Sequence, residues 1–294
     1  MKGRIVRGIG GFYYVEAQDG NEYECKARGV FRYNSEKPLP GDYCDIEIID
    51  AAGMTGNIVS ILPRKSFLIR PAAANFDRAF ICFAAKDPDP NLGLLDRFLV
   101  NTMEKDIDTV IILNKVDLVS DEAAESLKKI YSDAGYEVIL TSTKQGIGMD
   151  TLREMIKDTT SILSGPSGVG KSSIVNSLYG SKVAESGKIS EKIKRGKNTT
   201  RSSTLLCLKS ISDETYIMDT PGFSSLYNEL EPAELALHFK EMQQYFGRCR
   251  FTGCVHMEEP DCAVKDAVQA GLIHRERYDS YRNIYEELMK RRKW

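Results

Sequence analysis

Gly148 to Ser172 reads GMDTLREMIKDTTSILSGPSGVGKS: an amphipathic helical pattern runs into a short apolar strand, and the strand runs into a glycine-rich loop. The last eight residues, Gly165-Pro166-Ser167-Gly168-Val169-Gly170-Lys171-Ser172, satisfy G-x-x-x-x-G-K-[ST] in full, and a second helical pattern, GKSSIVNSLYG, follows. Strand, loop and helix in that order are the context that gives this motif chemical meaning. Its glycines let backbone N–H groups turn inward around phosphate oxygens at a helix N-terminus. Lys171 would reach the β- and γ-phosphates, and the Ser172 hydroxyl would ligate Mg²⁺, with Ser173 closing the first turn against the nucleotide.

Two further tetrads fit a nucleotide site. Asp219-Thr220-Pro221-Gly222 follows the strand-like TYIM, where Asp219 would meet the magnesium shell through water and Gly222 would offer its N–H to a γ-phosphate. Asn114-Lys115-Val116-Asp117 follows VIIL. An aspartate there accepts from both the N1–H and the exocyclic amine of guanine. Adenine offers one donor on that edge, so the carboxylate discriminates against it at a cost of about 1–3 kcal/mol or more. Asn114 would brace the pocket and Lys115 would lie over the ring. Thr141 and Ser142, in TSTK after the next apolar run, fall where such a domain places the loop near the guanine O6.

The order is unusual. The base-reading tetrad precedes the phosphate loop by about fifty residues, whereas an ordinary G domain has the phosphate loop first. The helix that normally ends that fold is here joined directly to the strand that normally begins it, in the stretch from Gly148 to Ser172. The cut has moved to the position after DTPG. Such a rearrangement preserves the sheet when it joins neighbouring ends and opens a surface connection.

At 294 residues, 42% hydrophobic and 28% charged, the chain is long enough for two or three globular domains. A net charge of -2 leaves nucleic-acid contact to local basic patches. The opening MKGRIVRGIGGFYYVEAQDG lacks the apolar core of a signal peptide, and no apolar run reaches the roughly 20 residues of a membrane span, so a cytosolic protein with no membrane partner is expected. Residues 1–64 read as short strands broken by Asp19-Gly20 and Pro40-Gly41-Asp42 turns, a small barrel or sandwich for which an OB-type barrel fits the size, with a generic β module as the alternative. Residues 65–225 alternate strand and helix, the sign of a parallel sheet with covering helices. Ser120 is the expected N-cap of one of those helices.

Residues 226–294 read as helical around CRFTGCVHMEEPDC. Cys249, Cys254, His256 and Cys262 supply three thiolates and one imidazole, a closed tetrahedral zinc site of the structural kind. Cys25, Cys44, Cys82 and Cys207 are scattered among apolar residues and read as small buried hydrophobes. His238 and His274 fall in helical patterns and read as ordinary surface or packing residues.

The order N-K-x-D, T-S-x, G-x-x-x-x-G-K-S, D-x-P-G resembles that of circularly permuted GTPases. With a small N-terminal β domain and the Cys/His cluster, the whole chain resembles the ribosome small-subunit-dependent GTPase A family (RsgA, also called YjeQ). That resemblance implies an N-terminal OB-type β-barrel (1–64), a central α/β P-loop G domain in permuted order (65–225) and a C-terminal helical zinc-binding domain (226–294). It further implies a monomer that hydrolyses GTP during late maturation of the small (30S) ribosomal subunit, stimulated by that subunit and in contact with its rRNA.

Phe223 stands where many GTPases carry the glutamine that orients the attacking water, so slow intrinsic turnover is expected. The stretch KISEKIKRGKNTTR carries Thr199 and Thr200, one of which should close on Mg²⁺ and the γ-phosphate. Lys171 and Thr200 are therefore the residues expected to assist catalysis. The family motif has His where this chain has Asn198, which removes any hydrolytic role of that side chain. The basic stretch reads as a solvated loop or an RNA contact. Two other readings stand beside the switch: a nucleotide-gated RNA-binding module whose hydrolysis is incidental, and a permuted GTPase with a non-ribosomal partner. A third, an ATP-dependent enzyme, would make NKVD accidental.

Overall fold

A computed structural model describes residues 1–27, 37–69, 71–180, 203–221 and 230–291. Five strands open the chain: β1 (Lys2–Ile9), β2 (Phe12–Ala17), β3 (Glu22–Ala27), β4 (Tyr43–Asp50) and β5 (Thr55–Ile61). β1 is antiparallel to both β2 and β4, β2 to β3 and β4 to β5, while β3 runs parallel to β5. The circuit β1-β2-β3-β5-β4-β1 closes, which is the five-stranded OB arrangement and decides the sequence alternatives in favour of a barrel. Alternation fills it: Ile5, Tyr13, Val15, Tyr23, Cys25, Cys44, Ile46 and Ile58 form its core. Gly20 takes the left-handed φ of 82° that the expected Asp19-Gly20 turn needs. At Gly41, with φ at 94°, an added Cβ would lie 2.0 Å from the Ala74 carbonyl oxygen, so no side chain fits.

Beyond the barrel come β6 (Phe67–Leu68), β7 (Ala73–Ala74), β8 (Arg78–Ala84), α1 (Leu92–Glu104), β9 (Thr109–Asn114), α2 (Asp121–Ser132), β10 (Glu137–Thr141), α3 (Met149–Ile156), β11 (Thr160–Ser164), α4 (Lys171–Tyr179), β12 (Thr204–Cys207) and β13 (Tyr216–Asp219). Among the described residues the helices α5 (Lys240–Gln243), α6 (Ala263–Gln269) and α7 (Arg275–Arg291) follow. Ser120 caps α2 as expected, accepting from the Ala123 N–H. The strand-helix rhythm therefore stands. The C-terminal stretch is helical around the Cys/His-rich insert, as its pattern suggested, with turns over 244–262 around the cysteines.

The chain forms two compact units, residues 1–80 with 149–222 and residues 81–148 with 223–294. In the first, β11 and β13 pair in parallel, β12 is antiparallel to β13, and β12 bridges to β1 of the barrel at Thr204 and Arg7. The barrel strand thus continues the sheet that carries the phosphate loop. Arg4, 9% exposed, fixes the junction. Its guanidinium donates to Thr160 Oγ1 (2.9 Å) and the Asn75 carbonyl (3.3 Å) and lies against the rings of Tyr43 and Tyr216.

In the second unit, β9 and β10 pair in parallel and every residue of β9 is buried, which explains its unbroken apolar run. Val100 of α1 joins Leu235, Phe239, Met242, Val264, Ile273, Tyr281, Ile284 and Leu288 in one core. Through that core the helix before the N-K-x-D strand is packed into the C-terminal region. A buried ion cluster reinforces it: Arg277 of α7 donates to Asp96 of α1 (2.5 Å) and through Nε to Glu241 of α5 (2.7 Å).

Candidate nucleotide site and metal centre

The phosphate loop leaves β11, whose five residues are all buried, and enters α4. Gly165, Gly168 and Gly170 all take positive φ, at 147°, 82° and 101°. Those conformations turn successive N–H groups to one side of the loop. The first turn of α4 holds no acidic residue, a composition that suits an anion at that end. Lys171 lies across the loop, its Nζ donating to the carbonyls of Gly165 (2.7 Å) and Pro166 (2.8 Å). Val169 is buried, Ser167, Gly168 and Ser173 are exposed, and Pro166, Gly170 and Ser172 are half-buried.

Asp219 ends β13 in register with Leu163, the residue before Ser164 and Gly165. The Asp219 carboxylate and the phosphate loop therefore leave adjacent parallel strands at the same end. Ser172 and Asp219 are hard oxygen donors of the type Mg²⁺ takes. Thr220, fully buried, donates its hydroxyl to the Leu163 carbonyl at 2.9 Å and lies 3.2 Å from Ser164 Oγ. Neither Thr220 nor Ser164 stood out in the sequence. Thr199, Thr200, Asn198, Gly222 and Phe223 lie outside the described residues.

The N-K-x-D tetrad is built in the other unit by the parallel register of Asn114 with Thr141. Asn114 is 1% exposed, and its Oδ1 accepts from Thr141 Oγ1 at 3.0 Å. Lys115 turns the chain at a φ of 61° and its ammonium donates to the Asp87 carbonyl. Asp117 sits in the short helical turn Val116–Leu118, where Ser142 Oγ donates to its Oδ1 at 2.6 Å. Ser142 Oγ in turn accepts from the Gln145 N–H at 3.2 Å. Gly148, with φ at 69°, closes the TSTKQGIG loop where an added Cβ would come within 2.1 Å of the Leu140 carbonyl oxygen. Thr141, Ser142 and the tetrad are thus brought together as their spacing suggested. Asp87, which follows β8 and lies one helix and one strand before Lys115, carried no signal.

The four metal-ligand candidates also converge, with one ligand atom from each of Cys249, Cys254, His256 and Cys262 within 4.8 Å of the others. Cys249 Sγ lies 3.8 Å from Cys262 Sγ and 3.6 Å from His256 Nδ1, and Nδ1 lies 3.3 Å from Cys262 Sγ. Zinc bonded to sulfur at about 2.3 Å and to nitrogen at about 2.0–2.1 Å in a tetrahedron would space two sulfurs about 3.8 Å apart and sulfur and nitrogen about 3.5 Å apart. The residues fit that ion. Burial lowers the His256 pKa, which favours the neutral imidazole a metal needs. The loop is pinned by neighbours that the Cys/His spacing does not reveal. Glu259 accepts from the N–H groups of Val255 and Met257, Tyr278 donates to the His256 carbonyl, and Tyr281 to that of Val255. His274 pairs with Asp133 just before α7 begins, and His238 ends the Pro232–His238 turn of helix.

Known proteins match along the whole chain. The profile of the RsgA GTPase family matches residues 61–229, and that of the RsgA N-terminal domain matches residues 2–54. A protein of Agathobacter rectalis named small ribosomal subunit biogenesis GTPase RsgA is 47% identical over 305 residues, covering 100% of both chains. One of the same name from Clostridium perfringens is 46% identical over 293 residues, covering 99% of each. Among solved structures, YjeQ from Thermotoga maritima superposes with a TM-score of 0.76 at 33% identity over 98% of each chain. YloQ, described as a circularly permuted GTPase, gives 0.71 at 33% identity over 99% of this chain and 95% of that one.

Proposed function

The chain belongs to the RsgA family of circularly permuted GTPases and hydrolyses GTP, and on that premise we propose that it works as a GTP-operated switch in the biogenesis of the small ribosomal subunit. The observation that carries the guanine reading is the Asp117 carboxylate held by Ser142, which orients it as a base reader rather than a free surface charge. The subunit as partner is supported by full-length similarity to proteins named for that role.

In this reading Gly165, Pro166, Ser167, Gly168, Val169, Gly170, Lys171, Ser172 and Ser173 hold the phosphates. Asn114, Lys115, Asp117, Thr141 and Ser142 hold the base, and Gly222 meets the γ-phosphate. Lys171 exchanges its two loop carbonyls for phosphate oxygens when nucleotide binds, so its charge is delivered where negative charge develops. Ser172, Asp219 through water and Thr199 or Thr200 would hold Mg²⁺, which when bound neutralises charge between the β- and γ-phosphates. The Cys₃His set would hold one structural zinc.

With Phe223 in place of a water-orienting glutamine, turnover alone is slow, and the subunit or its rRNA completes the site. The protein acts as a monomer in the cytoplasm, where its partner is assembled. The domains are those read from the sequence: barrel to residue 64, G domain to 225, zinc-bearing region to 294.

The test is GTP hydrolysis by the purified protein alone, with small subunits and with large subunits. Stimulation by small subunits only is expected. Equal rates in all three would remove the ribosomal partner from the proposal while leaving the GTPase intact.

A further inference from the structure

Asp219 is the last residue of β13, and the backbone ladder to β11 stops at its pairing with Leu163. It cannot continue through residue 221, because Pro221 has no N–H to give. One residue past the last rung, the Thr220 hydroxyl donates to the Leu163 carbonyl at 2.9 Å and meets Ser164 Oγ at 3.2 Å. All the groups are shielded: Thr220 and Ser164 are each 0% exposed. A side chain therefore takes over where backbone pairing ends, at the point where one strand gives Asp219 and its neighbour gives Gly165 of the phosphate loop.

We infer that Thr220 is a positioning residue for GTP hydrolysis, setting where Asp219 stands relative to the phosphate loop. The inference rests on the proposed role of Asp219 on the magnesium side of the site. Its chemistry follows from connectivity. Asp219 has one free backbone joint before Pro221, and the residue before a proline is held to extended conformations. Fixing Thr220 by its hydroxyl removes most of the remaining freedom, so the carboxylate is presented at one height above β11. Valine at 220 keeps the β-branch and the shape but leaves the Leu163 carbonyl and Ser164 hydroxyl without their partner. The carboxylate would then be held less firmly at the position from which it would meet the hydration shell of Mg²⁺. Binding of the nucleotide through the loop N–H groups is untouched.

Magnesium titration separates this role from simple destabilisation. The protein is loaded with a fluorescent GDP analogue, and its release is followed as Mg²⁺ is raised, with single-turnover GTP hydrolysis measured in parallel. For Thr220→Val, affinity without Mg²⁺ is expected within about twofold of the parent. The Mg²⁺ concentration that half-maximally slows release should rise about five- to tenfold, in line with loss of one buried hydrogen bond. Hydrolysis should fall at limiting Mg²⁺ and recover at saturating Mg²⁺, and Thr220→Ser, which keeps the hydroxyl, should behave as the parent. Should Thr220→Val melt below the assay temperature, Ser164→Ala weakens the same clamp and is expected to move the Mg²⁺ midpoint in the same direction. Asp219→Asn is the reference. If it shifts the midpoint and the valine and Ser164→Ala variants do not, Thr220 has no positioning role. If Asp219→Asn leaves the midpoint unchanged, the magnesium reading of Asp219 falls first. A variant that weakens nucleotide binding equally with and without Mg²⁺ also overturns the inference.

Discussion

Replacing Asp117 by asparagine should change which base the protein prefers, and the direction follows from Ser142. The Ser142 hydroxyl has one proton, given to Asp117 Oδ1 at 2.6 Å, while its oxygen accepts from the Gln145 N–H. An amide at 117 therefore keeps its carbonyl oxygen toward Ser142 and places its NH₂ where Oδ2 of the carboxylate was. Against guanine this sets donor against donor at the exocyclic amine, while the amide oxygen can still accept from N1–H. One hydrogen bond to a charged group is lost, worth about 1.5–3 kcal/mol. The lower figure gives a little over 10-fold in affinity at about 1.4 kcal/mol per decade, and the upper about 100-fold. A xanthine nucleotide carries a carbonyl at the position of the amine and offers the new NH₂ an acceptor, so it should gain. Asp117 is half-buried beside solvent, and the stability of the fold should move by no more than about 0.5 kcal/mol. Competition against a fluorescent GDP analogue by GDP, XDP and ADP reads all three affinities. The reasoning is refuted if the variant still prefers GDP to XDP, or if GDP binding falls by less than about threefold.

Three other perturbations test other parts of the molecule. Arg277→Met leaves Asp96 and Glu241, 0% and 6% exposed, without their cation, so guanidinium denaturation should show a loss of about 3–5 kcal/mol. Asp96→Asn, which leaves Glu241 paired with Arg277, should cost less. Metal analysis should find one zinc per chain. Cys254→Ala should lower that content and raise hydrogen exchange across residues 249–262 while GTP affinity holds. Burial pushes the Cys25 thiol up to about 11 and the Cys44 thiol up to about 12, above an unfolded value near 9. The folded state therefore holds protons that the unfolded state releases. The stabilisation is complete below about pH 9 and is lost as pH rises toward 11–12, seen as a falling melting temperature, with both thiols unreactive to maleimide in the native barrel at pH 8.

What could be read from the sequence was chemistry that repeats along the chain. The phosphate loop, the N-K-x-D tetrad and the cysteine cluster each concentrate their function in one short run. The barrel announced itself by alternation and by Asp19-Gly20, and the permuted order needed only the sequence of motifs. Contacts made by ordinary residues at long range left no such trace. Asp96 lies in an amphipathic helix and Arg277 in RERYDSYRNIYEEL, a run that looks solvated, yet the two meet across 181 positions in a buried pair. Arg4 looks like a charge on the outer face of β1 until Thr160 and Tyr216 are placed beside it. Thr220 is one threonine between an aspartate and a proline, and only the register of β11 with β13 gives it a partner. Cys207 was read as buried and is half-buried, because β12 is short and its Sγ faces the loop carbonyl of Asp213.

The pairing of β1 with β12 joins the barrel to the sheet that carries the phosphate loop. β12 begins at Thr204, a few residues after the segment containing Thr199 and Thr200, and its opening residue is the one that bridges to Arg7. Arg4 of the same barrel strand strengthens that junction. It is tied to Thr160 at the start of β11 and stacked on Tyr216 at the start of β13, the two strands whose far ends carry Gly165 and Asp219. A displacement of β1 relative to those strands would have to break a buried charge-assisted hydrogen bond worth about 1.5–3 kcal/mol, together with the ring contact to Tyr216. Moving β1 with the sheet avoids that cost. The barrel is therefore joined, through β1, to the strands that lead into the phosphate loop and end at Asp219.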